Sequence, residues 1–168
     1  AIVTEAEPVE AFRKIHAKTD RDRAFVDRLN ALMQRDAEGE LLPAPKHFTT
    51  TCETRGLLTV SKSGAGKTTM IRRALERHPA LQATDDQTMP WIEVSCSSPA
   101  TTKSVGIDIL HKTGYFDIAP RATERDIWRL VRHRLGLLQT VVLWIDEAQD
   151  LFRTKTKIEI RSTLNMIK

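Results

Sequence analysis

Apolar residues fall at helical spacing in some stretches of the chain and bunch into short runs in others, and the two patterns alternate. Near the start, Pro8 suits the first turn of a helix carrying Phe12 and Ile15, and Thr19-Asp20 supplies either its stop or a new cap. From Arg21 the stripe Phe25, Val26, Leu29, Leu32 and Met33 predicts a helix, with Gly39 as its terminator. Pro43 and Pro45 break that pattern, and the stretch to Arg55 reads as a linker. The Leu-Leu-Thr-Val run at 57–60 predicts a first strand, followed by a helix through Ile71, Ala74 and Leu75 that ends at His78-Pro79. After a polar connection at 82–88, residues 91–96 read as a second strand followed by a Ser-Ser-Pro turn. A helix over 102–110 turns Val105, Ile109 and Leu110 inward and ends near Gly114. Thr123 is an N-cap for a further helix, on which Ile127, Leu130, Val131, Leu135 and Leu138 recur and Gly136 weakens the end. Arg129, Arg132 and Arg134 read as its solvated face. The five apolar residues at 141–145 complete the set as a buried parallel strand. Strands alternating with helices indicate an α/β fold.

The junction after the first of these strands carries the clearest chemistry. Ser61-Lys62-Ser63-Gly64-Ala65-Gly66-Lys67-Thr68-Thr69 places a glycine-containing loop ending in Gly-Lys-Thr between a strand and a helix, the order of a phosphate-binding P-loop. Glycines let the backbone curl until successive N–H groups face one anion, and the following helix adds the positive end of its dipole. Lys67 can reach the outer phosphates, and the Thr68 hydroxyl suits a Mg²⁺ ligand. Ser61 stands where the usual pattern has its first glycine. Either the turn there tolerates a β-carbon or the cradle is looser, and a Gly/Ser surface loop preceding Lys-Thr is the plainer alternative.

Asp146 and Glu147 follow directly on the 141–145 run. Carboxylates at the C-terminal edge of a parallel strand lie where α/β sheets bind ligands. Asp146 can hold a water of a Mg²⁺ shell, and Glu147 can orient and deprotonate an attacking water. An ordinary core strand with a polar exit would look the same in isolation; the order, P-loop first and acidic pair later, favours a nucleotide site.

Composition narrows the remaining classes. The chain has 168 residues, enough for one domain with its own core, and its 40% apolar and 29% charged content is that of a soluble globular protein. No apolar run nears the roughly 18 residues of a membrane span, and the N-terminus lacks a signal-peptide pattern, so a cytoplasmic protein is expected. Cys52 and Cys96 are too few for a disulfide framework and read as reduced thiols, and the histidines show no zinc spacing. The net charge of +4 resides wholly beyond Asp150, where Arg153, Lys155, Lys157, Arg161 and Lys168 outweigh Glu159. Such a stretch can face duplex DNA or be a solvated helix face. His47 and Phe48, just before the first strand, are weaker candidates for an adenine pocket, with a plain loop aromatic as the alternative.

These motifs together resemble an AAA+ ATPase: Gly64-Ala65-Gly66-Lys67-Thr68-Thr69 as Walker A, the strand at 91–96, and Ile145-Asp146-Glu147-Ala148-Gln149-Asp150-Leu151 as Walker B. The Asp-Glu-Ala-Gln-Asp-Leu run followed by Arg161-Ser162-Thr163-Leu164-Asn165-Met166-Ile167-Lys168 resembles the TniB/TnsC group of transposition regulators, over roughly residues 21–168. The resemblance implies an AAA+ type P-loop NTPase sheet flanked by helices, with an N-terminal helical segment and linker at 1–45 and a partial nucleotide-binding domain at 46–168. It implies ATP and Mg²⁺, with phosphates held by Ser63, Gly64, Ala65, Gly66, Lys67, Thr68 and Thr69, the metal by Thr68 and Asp146, and catalysis by Glu147 and Lys67. It further implies target-DNA binding, ATP-dependent homo-oligomerisation and recruitment of a transposase. In such a domain a sensor-1 strand, an arginine finger and commonly a helical lid would follow Lys168, and that strand would lie between those at 57–60 and 141–145. Without it these two strands lack a neighbour for their backbone groups, so the chain is expected to be part of a longer one and to hydrolyse ATP weakly by itself. A P-loop ATPase of another branch and a nucleotide-switch scaffold with little catalysis are the alternatives. A small-molecule kinase is disfavoured, because the adjacent carboxylates supply a water-activating base.

Overall fold

A computed structural model describes residues 19–48, 53–96 and 100–153, together with 156, 157, 160 and 163. The helix expected around Pro8, Phe12 and Ile15, the thiol of Cys52, the Ser-Ser-Pro turn, Lys155 and most of 161–168 lie outside the described residues.

Thr19 is a cap rather than a stop. Its hydroxyl accepts from the Asp22 N–H, and the Asp22 carboxylate accepts from the Thr19 N–H at 2.9 Å, a capping box that starts helix α1, Asp20–Asn30. The apolar stripe predicted a longer helix, but the chain leaves it at Ala31. Met33–Arg35 forms strand β1, antiparallel to β2, Leu41–Pro45. Between them the Asp36 carboxylate takes the Glu40 N–H at 2.8 Å and Gly39 adopts φ +89°, so Gly39 turns a hairpin instead of ending a helix. The expected linker prolines lie in β2. A two-stranded hairpin is all edge, where proline's missing donor costs little. The stripe itself was real, since Leu29 and Met33 are both buried.

Helix α2, Lys67–Glu76, follows the P-loop, and strand β3 spans Trp91–Ser95. Helices α3, Thr102–Lys112, and α4, Glu124–Leu137, precede β4, Val142–Asp146. β3 and β4 pair in parallel from Trp91↔Val142 to Ser95↔Asp146. The alternation of a strand sorts their side chains between two layers. Ile92, Val94, Leu143 and Ile145 pack with α3 and α4 around Ile109, Leu110, Ile127 and Val131. Trp91, Val142 and Trp144 pack instead with Met70, Ile71 and Leu75 of α2 and with Leu29 and Met33. The result is a small parallel sheet with helices on both faces.

Both helices of the first layer start where the sequence predicts an element. Thr101 and Thr123 close capping boxes with Ser104 and Asp126, whose carboxyl is held below its usual range chiefly by the hydrogen bond from the Thr123 hydroxyl. Their close approach needs a glycine: a β-carbon on Gly106 would sit 2.6 Å from Ile127 Cγ2. Beside it, the buried Trp128 donates its indole N–H to the Thr102 carbonyl at 3.1 Å. Arg134 departs from the solvated-face reading, since it donates to the Thr113 carbonyl at 2.7 Å and ties the end of α4 to that of α3.

Two strand expectations are corrected. The run at 57–60 forms no strand, and Leu58 and Val60 are each 81% exposed. Apolar content alone does not make a strand: backbone N–H and C=O groups need a ladder partner, and none reaches this run among the described residues. For the same reason β4 is half-buried rather than buried, with Trp144 its one buried side chain. Only one edge of β4, the one facing β3, is paired among the described residues.

Candidate functional site

The loop between residue 60 and α2 turns on two glycines in left-handed conformation, Gly64 at φ +72° and Gly66 at φ +75°. A β-carbon at either would meet nothing within 4 Å, so the requirement is conformational rather than spatial. Ser61 has no such requirement, because its φ is not positive. The turn tolerates its β-carbon, with the hydroxyl 3.5 Å from the Lys62 carbonyl. The Ala65 N–H closes a turn onto the Lys62 carbonyl at 3.3 Å, and the Met70 N–H bonds the Gly66 carbonyl at 2.9 Å to open the helix. Lys67, Thr68 and Thr69 thus occupy the first turn of α2, whose N–H groups have no acceptor within the helix, and no side chain caps them. Together with the helix dipole they present a positive surface suited to an anion. The Lys67 ammonium adds a full charge and has no ion-pair partner among the described residues.

The Walker A and Walker B candidates meet directly. The Thr68 hydroxyl donates to Asp146 Oδ2 at 2.8 Å across 78 positions of sequence. Asp146 Oδ1 accepts the Glu147 N–H at 3.1 Å, so both oxygens of this carboxylate are engaged. A hydroxyl and a carboxylate converging on one point are hard oxygen donors of the kind Mg²⁺ prefers, and the pair fits that ion. Glu147 leaves the line of the strand through a left-handed backbone, φ +52°, a conformation unfavourable for a residue with a side chain. Its exposed carboxylate accepts a hydrogen bond from the Gln149 side-chain amide. Among the described residues no cluster of three His, Cys, Asp or Glu could hold a metal.

Three features of the site were not read from the sequence. Arg72 bonds Glu93 of β3 through Nε at 3.0 Å and Nη2 at 2.6 Å and lies 5.8 Å from the Trp144 ring, clamping α2 to the sheet. Arg21, from α1, donates to the Ala65 carbonyl at 2.7 Å. Neither contact has a local sequence signal, because each joins elements distant along the chain. Gln149 is different: it stands two positions beyond Glu147, inside the run quoted for the family resemblance. A cleft of about 560 Å³ lies away from the loop, along β3 between Arg72 and His111.

Other candidates are placed as follows. Phe48 sits within its own loop, its N–H bonded to the Glu53 carbonyl at 3.0 Å and its ring 4.1 Å from the Arg55 guanidinium. Cys96, buried beyond the end of β3, is a free thiol whose pKa is pushed up to about 11, first by burial and then by Asp150, Asp108 and Asp146. Arg153 is exposed and 3.8 Å from Asp150, and Lys157 is exposed.

The family model described as bacterial TniB protein matches residues 16–168. The chain belongs to the TniB family. No curated protein and no solved structure matches it significantly. TniB proteins are transposition-associated P-loop ATPases, and the matched residues take in every strand and helix described above. Among the described residues, no helix is long and apolar enough to cross a membrane.

Proposed function

We propose that this TniB chain is the nucleotide-binding part of a DNA-transposition regulator of AAA+ type, which binds and hydrolyses ATP, oligomerises on duplex DNA and recruits a transposase. The observation that carries the nucleotide half of this reading is the 2.8 Å bond from Thr68 to Asp146, which joins a glycine-bent loop to an acidic strand end. Family membership carries the transposition half. The protein would work in the cytoplasm.

The residues divide the work by position. The free N–H groups at the start of α2 and the loop 63–69 bind the phosphates, and Lys67 offsets their outer charge. Thr68 and Asp146 would hold Mg²⁺, which supplies charge neutralisation at the phosphate oxygens when bound with the nucleotide. Glu147, on its left-handed turn, accepts a proton from water once Gln149 releases or shares its carboxylate. An arginine from a neighbouring subunit would stabilise the transferring phosphoryl, making turnover depend on assembly. Exposed Arg153 and Lys157, with Lys155 between them, would face DNA.

A second reading, a nucleotide switch with little turnover, draws on one observation: Glu147 is engaged by Gln149 rather than free. Light scattering and negative-stain imaging of the protein, with and without duplex DNA and a non-hydrolysable ATP analogue, test the proposal. Assembly requiring both ligands is the expected result. Nucleotide binding that DNA leaves unaltered would retain an ATPase and remove the DNA function. A Lys155→Glu/Lys157→Glu variant should lose DNA binding with nucleotide binding intact.

A further inference from the structure

The Ala65–Gly66 peptide is a hinge with a latch. Gly64 and Gly66, both left-handed, flank Ala65, and glycine crosses between left- and right-handed backbone at little cost. The Ala65 N–H and the Gly66 carbonyl are each held by backbone bonds, and the glycines' own conformational preference does not fix which way the peptide between Ala65 and Gly66 faces. Arg21 supplies the constraint by donating from Nη2 to the Ala65 carbonyl at 2.7 Å. In a trans peptide the C=O and the following N–H point in opposite directions. Holding the Ala65 oxygen toward α1 therefore turns the Gly66 N–H away from it. The Ala65 N–H is already committed to Lys62, so the Gly66 donor is one the loop still has to offer.

The arginine is itself well placed. The Thr19–Asp22 capping box fixes the first turn of α1, in which Arg21 lies. Farther along, Leu29 packs in the same core as Met70, Ile71 and Leu75 of α2, so both ends of the latch are braced against one another. Nearby carboxylates are otherwise engaged: Asp22 caps the helix, and Asp20 lies 3.7 Å from Arg23. The guanidinium lies beside the loop and polarises the peptide it grips.

We propose that Arg21 is a positioning residue of the phosphate cradle, which orients the Ala65–Gly66 peptide so that the Gly66 N–H faces a bound phosphate. This rests on the P-loop reading above and adds to it a contribution from the helix before the hairpin, outside the Walker motifs. Arg21 is exposed and its loss removes no core contact, so the fold should survive substitution.

Calorimetric titration of wild type, Arg21→Ala and Arg21→Lys with ATP and with inorganic tripolyphosphate, both in Mg²⁺, tests the proposal. Arg21→Ala should weaken both ligands about tenfold, the scale of one charge-assisted hydrogen bond, at unchanged Tm. Arg21→Lys, which keeps one charged donor, should recover part of the loss. Without ligand, the Ala65 carbonyl carbon and Gly66 amide resonances should move in Arg21→Ala. Wild-type affinity in Arg21→Ala, or resonances that stay in place, would overturn the proposal. Absence of binding by wild type would instead defeat the P-loop reading itself, and this inference with it.

Discussion

The two halves of the proposed nucleotide site are supported in different ways. Asp146 ends a strand that is hydrogen-bonded along its length to β3 and backed by α3 and α4, where Ile109 and Leu110 are wholly enclosed. The P-loop follows a run whose Leu58 and Val60 are 81% exposed and whose backbone joins no sheet. Yet the loop is in register with Asp146, because α2 is fixed from its other side. Met70, Ile71 and Leu75 pack against Trp144, and Arg72 reaches Glu93. A P-loop can thus be positioned by its helix without its strand, and the rigidity of the site is unevenly shared.

Substitutions that measure this unevenness should range widely in effect. Leu110→Ala, in the enclosed layer, should cost about 2–5 kcal/mol in denaturant unfolding, through lost transfer energy and the cavity left behind. Gly106→Ala should cost about 1–3 kcal/mol, because the new methyl collides with Ile127 at the α3–α4 contact. Thr123→Ala, which removes the α4 cap, should cost about 1 kcal/mol. At the other extreme, Leu58→Ala should change stability by less than about 0.5 kcal/mol; a loss like that of Leu110→Ala would show that the run is enclosed after all.

The helix that carries the loop also has a pH handle. His78 is buried just past α2, its Nδ1 accepting the Ala80 N–H at 3.3 Å and its Nε2 lying 2.7 Å from Asn30 Oδ1. An Nδ1 that accepts carries no proton, so the ring is the neutral Nε2–H tautomer. Burial lowers its pKa from 6.5. The unfolded chain therefore takes up a proton below about pH 6.5 that the folded chain refuses, and stability should fall as pH drops from there toward the lowered folded value. His78→Gln should flatten that segment of the stability profile; an unchanged slope would mean the histidine is not the titrating group.

What could be read from the chain follows the range of the forces involved. The caps at Thr19 and Thr123, the strand beginning at Trp91 and the inward faces of α3 and α4 were legible because caps, alternation and helical stripes act over a few residues. The stripe from Phe25 was helical as far as Asn30, but at Met33 the Asp36–Glu40 turn and pairing with 41–45 outweighed helical spacing. At 57–60 the local pattern was that of a strand and the missing requirement was non-local. The same division holds in the site. Lys67, Thr68, Asp146 and Glu147 stood out by motif, and the structure brings Thr68 to Asp146. Arg21 and Arg72 are ordinary surface arginines until the fold sets them beside Ala65 and Glu93.

The most direct test of the account is calorimetric titration of the protein with ATP and Mg²⁺, alongside Lys67→Ala and Asp146→Ala. Wild type should bind one nucleotide per chain. Lys67→Ala should lose most of that affinity, and Asp146→Ala should lose the enhancement due to Mg²⁺. A wild-type protein that binds no nucleotide, or a Lys67→Ala variant that binds as wild type does, would contradict the assignment of this loop as the phosphate site.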